Sequence, residues 1–218
     1  MTFSILAYDE KTGRYGGAAA TGSLCVGGWV LRGDSVSGMS ASQGTSPSTL
    51  WGVEVLEYMK GGLTAQAAVD KTVGPDTGKQ HRQLAALDPK GNTAIHSGEH
   101  SVPIFGHVAD QNIIVSGNML ANDQVLPAIL AGFKSAKGLM SERLLAALQN
   151  GANVGGDNRG LLSAALLVVA NDMAPFSLRI DHAPRPIAAL RDLHKLSKSS
   201  PYADWVNAVP TVNSPYKF

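Results

Sequence analysis

The sequence predicts an α+β protein in which antiparallel sheet and pairs of helices form separate layers. Three observations carry that expectation. Extended apolar runs come in hairpin-like pairs, helical periodicity comes in two consecutive blocks of two, and the blocks follow the order sheet, two helices, sheet, two helices, sheet. Strict one-by-one alternation, the mark of a doubly wound fold, is absent.

Taken in order, TFSILAYD (2 to 9) and RYGGAAAT (14 to 21) read as strands joined by EKTG, whose Gly13 suits a hairpin turn. A glycine-rich loop spans Gly22 to Gly28, and WVLRG and DSVSGMSASQ supply further strands. In STLWGVEVLEYMKGG the residues Leu50, Val53, Leu56 and Met59 recur at helical spacing, with a start near Pro47 and a stop at Gly61 and Gly62. Thr64 caps a second helix, TAQAAVDKTV. HRQLAALD and TAIHSG form a hairpin around PKGN, and NIIVSG is a strand that ends at a glycine. Helices are expected from Asp123 to about Lys137 and from Met140 to Asn150. LLSAALLVVA is a continuous apolar run of the kind buried on both faces, followed by FSLRID and a last helix, IAALRDLHKL.

One domain over residues 1–196 is expected, with a C-terminal tail over 197–218 rich in Ser, Pro, Asn and Tyr. The tail is polar and proline-broken yet carries Trp205, so it reads as an extended segment or an arm for self-association, and a homo-oligomer is expected. Net charge is +1 with 16% charged residues and no run of like charges, which argues against a nucleic-acid partner. The one cysteine, Cys25, has no internal disulfide partner, and the N-terminus lacks a basic and apolar leader, so a cytoplasmic protein is expected. No apolar run approaches the roughly 18 to 20 residues that cross a bilayer, so no membrane partner is expected.

Several motifs resemble chemistry without its context. His96, Glu99 and His100 spell H-x-x-E-H, but Gly98 interrupts the segment and Pro103 follows, so the one-face helical geometry for zinc is missing; no metal and no cofactor is expected. Gly33, Asp34 and Ser35 are a turn between strands rather than an esterase block, and Cys25 is a small apolar filler. No phosphate-cradling or dinucleotide glycine motif is present.

Thr2 stands apart. A Thr hydroxyl becomes a nucleophile when a base takes its proton, and a free α-amine on the same residue, with a pKa of about 7.7 to 8.0, can do so near neutral pH. The second residue is small enough for methionine aminopeptidase to expose it, so Met1 removal would suffice. The order of elements and the position of Thr2 together resemble the four-layer αββα sandwich of N-terminal nucleophile (Ntn) hydrolases, whose first residue is the catalyst.

The sequence also resembles a bacterial family of uncharacterised proteins, the domain of unknown function numbered 1028, which is grouped with these hydrolases. The matching stretches are TFSILAYD, ASQ (41 to 43), HRQLAALDPKGNTAIHSGE, the Gly-His at 106 to 107, SGNML (116 to 120), SERLLAAL, GGDNRG with SAALLVV, and DHAPRPIAALRDL, covering most of residues 2 to 196. The family implies no substrate.

A looser similarity, to proteasome β-subunits, implies roles residue by residue. VSGNMLANDQVLPAIL resembles the strand and turn that carry a Ser beside the nucleophile, which implies Ser116 and Asn118 as partners of Thr2. GGDNRGLLSAALLVV resembles the loop whose Asp helps hold the terminal amine, which implies Asp157, with Arg159 beside it. SGMSASQGT resembles the strand end that supplies the oxyanion N–H, which implies a donor at Gln43 or Gly44. Where proteasome subunits carry a Lys, WVLRGDSVSG offers Arg32, which supplies positive charge without shuttling a proton.

The leading expectation is therefore hydrolysis of a small amide-type bond in a small-molecule substrate, with Thr2 as nucleophile. Two others stand beside it: a non-catalytic binding or assembly module on the same scaffold with Met1 retained, and acid–base chemistry by other pocket groups such as His96, His107 and Glu99.

Overall fold

The computed structural model describes residues 2–217; Met1, and with it the expected removal of that residue, lies outside the described residues. The chain begins with a hairpin, β1 (Thr2–Asp9) and β2 (Arg14–Thr21). A short helical turn, α1 (Val26–Trp29), leads into β3 (Leu31–Asp34) and β4 (Gly38–Gly44). Helices α2 (Thr49–Lys60) and α3 (Ala65–Val73) follow, then β5 (Arg82–Leu87), β6 (Thr93–Ser97), β7 (Gly106–Asp110) and β8 (Ile113–Asn118). Helices α4 (Val125–Ser135) and α5 (Met140–Asn153), strands β9 (Ser163–Ala170) and β10 (Met173–Ile180), and helices α6 (Pro186–Leu196) and α7 (Tyr202–Ala208) complete the chain.

The strands form two antiparallel sheets, one of six in the order β10-β9-β2-β1-β8-β7 and one of four in the order β3-β4-β5-β6. The first hairpin places Phe3 opposite Ala20 and Asp9 opposite Arg14, the register that the EKTG turn dictates. β1 also pairs with β8, with Thr2 opposite Asn118 and Ser4 opposite Ser116, so the first strand lies inside the sheet.

Period-two alternation in β1 decides what each face meets. Phe3, Ile5 and Ala7 join a cluster with Ile129 and Phe133 of α4, Leu144 and Leu148 of α5, and Ile187 and Leu190 of α6. Leu6 points the other way, into a cluster with Met39, Ala41, Ala85 and Leu87 of the four-stranded sheet, so the two sheets pack face to face. The outer face of the smaller sheet is covered by α2 and α3 through Trp51, Val55, Met59, Ala68 and Val69. Ser48 and Thr64 cap these two helices with their side chains, accepting from the Trp51 and Ala67 amides.

The main departures from the sequence reading are short elements. The expected loop around Gly22 to Gly28 contains α1. β7 is an edge strand with little apolar pattern of its own, formed by pairing to β8. The tail, read as extended, carries α7, which rests on β10. Each is stabilised by a tertiary neighbour rather than by a local signal.

Candidate functional site

Between the sheets the packing changes from apolar to polar toward the end where β1 starts. The row Leu6, Ile114, Ala41 and Ala85 is hydrophobic. One row on, Ser4 and Ser116 share a hydrogen bond of 3.1 Å. Beyond them lie Thr2, Asn118, Gln43 and Gln83, all buried. Gln83 is bonded to by the Gln43 amide at 2.6 Å and the Asn118 amide at 3.4 Å, both onto its Oε1.

The polar end opens into a cleft of about 590 Å³. Thr2, Thr21, Gln43, Gly44 and Arg159 line it on the polar side, and Leu24, Trp29 and Met119 form an apolar flank. The Thr2 hydroxyl donates to the Thr21 hydroxyl at 3.2 Å, which orients it at the cleft floor. Met119 reaches the cleft from a left-handed backbone conformation, φ 53°, uncommon for a residue with a side chain and typical of site-forming turns.

Asp157 stands directly behind Thr21. Its Oδ2 accepts from the Gly22 amide at 2.5 Å, and its Oδ1 accepts from the Arg159 amide at 2.9 Å. The Arg159 guanidinium closes an ion pair with the same carboxylate at 3.2 Å and reaches the Ser23 hydroxyl at 3.3 Å. A Cβ on Gly22 would come within 2.6 Å of the Gly160 carbonyl, so only glycine allows this approach. Ser163 fixes the rest of the loop, donating to the Ser23 carbonyl at 2.7 Å and accepting from the Val26 amide at 3.1 Å. Gly44 has φ +138°, and a Cβ there would meet the His81 carbonyl at 2.4 Å, so the strand end that lines the cleft also requires glycine.

Of the residues the sequence singles out, Thr2, Asn118, Gln43, Gly44, Asp157 and Arg159 come together at this end of the molecule. Ser116 lies one row deeper, opposite Ser4 rather than Thr2. Arg32 is not on the cleft: its guanidinium donates to the Leu31 and Gly28 carbonyls at 2.8 and 2.9 Å, and burial, then the charge of Arg179, lowers its pKa. His96 is on β6, where its ring nitrogen bonds the Lys79 carbonyl at 3.0 Å and its edge meets Trp51. His107 is exposed on the edge strand β7. Of the other two members of the H-x-x-E-H stretch, Glu99 is exposed and His100 pairs with His81 at 3.2 Å.

Sequence reasoning missed Thr21, Gln83 and Met119, and the apolar flank. Thr21 was legible, since a hairpin with Phe3 opposite Ala20 brings Thr21 to the level of Thr2. Gln83 also left a signal, a lone amide in the strand QLAAL. Met119 left none. A smaller hollow of about 280 Å³, between α5, β10 and the C-terminal segment, holds none of the predicted residues.

The chain matches the DUF1028 family, a family of unknown function, over residues 2–190. Among solved structures it is similar to the crystal structure of protein SPO2555 from Silicibacter pomeroyi, described as DUF1028. Identity is 48%, the TM-score is 0.96, and the match covers 100% of this chain and 95% of that one. No curated protein is significantly similar to the chain.

Proposed function

We propose, from the premise that the chain belongs to the DUF1028 family of unknown function, that it is an N-terminal nucleophile amidohydrolase acting on a small amide-type bond through Thr2. The observation that carries the reading is the position of Thr2: the first residue of a strand inside the larger sheet, its hydroxyl on the floor of the 590 Å³ cleft and bonded to Thr21 at 3.2 Å. The Ntn-type four-layer αββα sandwich is supported by the three apolar clusters, one between the sheets and one under the helices on either side.

Once Met1 is removed, the Thr2 α-amine takes the hydroxyl proton as Oγ1 bonds to the substrate carbonyl carbon. Backbone N–H groups near Gln43 and Gly44 hold the oxyanion, and the same amine returns the proton to the leaving nitrogen as the C–N bond breaks. Water then attacks the acyl-enzyme ester and restores the hydroxyl. Asp157, saturated by Gly22 and Arg159, supports the corner that carries Thr21. Ser116 holds the row beneath, through Ser4. The cleft suits a small neutral substrate with an apolar part against Leu24, Trp29 and Met119. A homo-oligomer and a cytoplasmic setting belong to the same proposal; exposed Tyr202 and Trp205 on α7 supply an apolar surface for self-association.

The test begins with the mass of the native protein, expected without Met1. Loss of hydrolysis on Thr2→Ala across a panel of small amides, with the fold intact, is the second requirement. A non-catalytic binding module is the other reading, favoured by the absence of any Lys among the described residues that line the cleft and by the engagement of Arg32 elsewhere. Retained Met1 with a bound metabolite and no turnover would decide for it.

A further inference from the structure

Three buried amide side chains meet beneath Thr2, and their hydrogen bonds determine which way each one points. Gln83 Nε2 donates to the Ser97 hydroxyl at 2.8 Å and to the carbonyls of Gly106 and Gly117, each at 3.2 Å. Two of those partners are carbonyl oxygens, which only accept, so the nitrogen of Gln83 must face them and its oxygen must face the other way. That oxygen, Oε1, is where Gln43 Nε2 and Asn118 Nδ2 both donate. Gln43 and Asn118 are thereby forced to turn their own carbonyl oxygens away from Gln83. Both of those atoms, Gln43 Oε1 and Asn118 Oδ1, are buried and without a hydrogen-bond partner among the described residues, while the residues are only 1% and 0% exposed.

Two orphan acceptors in one buried cluster are uncommon, because each forfeits a hydrogen bond it had in water. Their location gives them a use. Asn118 is directly opposite Thr2 in the β1–β8 register, and Gln43 lines the cleft that Thr2 floors. A terminal α-ammonium carries three donors and needs acceptors that hold it without a full negative charge, which would drive its pKa too far up for a base. Neutral amide oxygens meet that requirement.

We propose that Gln83 is a positioning residue: it spans the two sheets, fixes the amide orientation of Gln43 and Asn118, and so presents their carbonyl oxygens as acceptors for the N–H donors of the Thr2 α-amine. This rests on the reading of Thr2 as a terminal nucleophile. The charged side chains near Thr2 are Arg159, on the cleft wall, and Asp157, behind Thr21; neither is altered in the test, so both act equally in every variant.

The full chain beginning at Thr2, released by cleavage of an N-terminal fusion, makes the measurement independent of Met1 processing. The pKa of the Thr2 α-amine is read from the pH dependence of its labelling by an amine reagent, followed by mass spectrometry, or from 15N chemical shifts. Gln83→Leu and Asn118→Leu are each expected to lower it by about one unit, as when a charged donor loses one acceptor. Ser97→Ala, on the donor side of Gln83, is expected to leave it unchanged. Where an apolar variant does not fold, Asn118→Ser, whose hydroxyl is too short to replace the amide oxygen, serves instead and is expected to lower the pKa likewise. A wild-type pKa in a folded Asn118 or Gln83 variant overturns the proposal. No turnover is needed for this result, so retained Met1 or an inactive Thr2 would overturn the hydrolase reading and leave the measurement standing.

Discussion

The hydroxyls of Thr2 and Thr21, nineteen positions apart in sequence, are joined by a hydrogen bond of 3.2 Å in which Thr2 is the donor. Thr21 thus holds the Thr2 proton in a defined direction before any base acts on it. Thr21→Val keeps the shape of the side chain and removes the acceptor. Its expected effect is a fall in turnover of about tenfold, the worth of one neutral hydrogen bond, with the melting temperature little changed. Thr2→Ala is expected to abolish turnover, and an equal loss in both variants would show Thr21 to do more than orient.

Asp157 is expected to matter for stability apart from any chemistry. Its carboxylate is fully buried and receives the Gly22 amide together with the Arg159 amide and guanidinium. Asp157→Ala removes the carboxylate that these donors share and should cost about 2 kcal/mol in urea unfolding, less than a fully buried pair because Arg159 is part-exposed. Gly22→Ala should destabilise by a similar route, since the new Cβ collides with the Gly160 backbone.

Tyr15 predicts an alkaline transition. Burial, with the neighbouring Tyr8 phenol adding to it, pushes its pKa up to about 12, and its hydroxyl donates to the Pro89 carbonyl at 2.7 Å. The folded pKa lies above the unfolded value near 10, so the contribution is complete below pH ~10 and is lost as pH rises through about 12. Tyr15→Phe should cost about 1 kcal/mol at neutral pH and flatten the fall in stability over that window, measured by urea unfolding at stepped pH.

His194 predicts an acid-side effect of opposite sign. Burial first, then the positive charge of Lys198, lowers its pKa, with Glu142 opposing; Ser141 bonds its ring at 2.9 Å and Phe176 packs edge-on against it. The folded protein favours neutral imidazole, so this contribution is present above pH ~6.5 and is lost as pH falls toward the lowered folded value. The slope from one proton is at most about 1.4 kcal/mol per pH unit. His194→Gln should remove that increment of acid sensitivity between pH 7 and 5, and an unchanged slope would show that His194 does not titrate differently on folding.

Periodicity made the long elements legible. The apolar runs on either side of the Gly13 turn indicated the first hairpin, helical spacing marked α2 although Leu50 and Val53 of that series are exposed, and the continuous apolar run of β9 marked a strand covered on both faces. The short elements were not legible, since α1, β7 and α7 depend on what they pack against. At the site, Thr2, Asn118, Gln43, Gly44, Asp157 and Arg159 were singled out by motif similarity, and the fold gathers them. Arg32 was singled out by the same similarity and His96 and His107 as acid–base candidates, and their side chains are engaged elsewhere or face solvent.

By itself the sequence determined the order of elements, the first hairpin and a hydroxyl residue at the head of its first strand, because these follow from local pattern and turn chemistry. Only the tertiary structure decided that the space between the sheets turns polar beneath Thr2 and that a loop carboxylate supports Thr21. It alone set Gln83 to orient two other amides across the sheet interface. Those relations depend on atoms brought within about 3 Å from strands far apart in the chain, and a hydrogen bond's direction and its leftover acceptors exist only once both partners are in place.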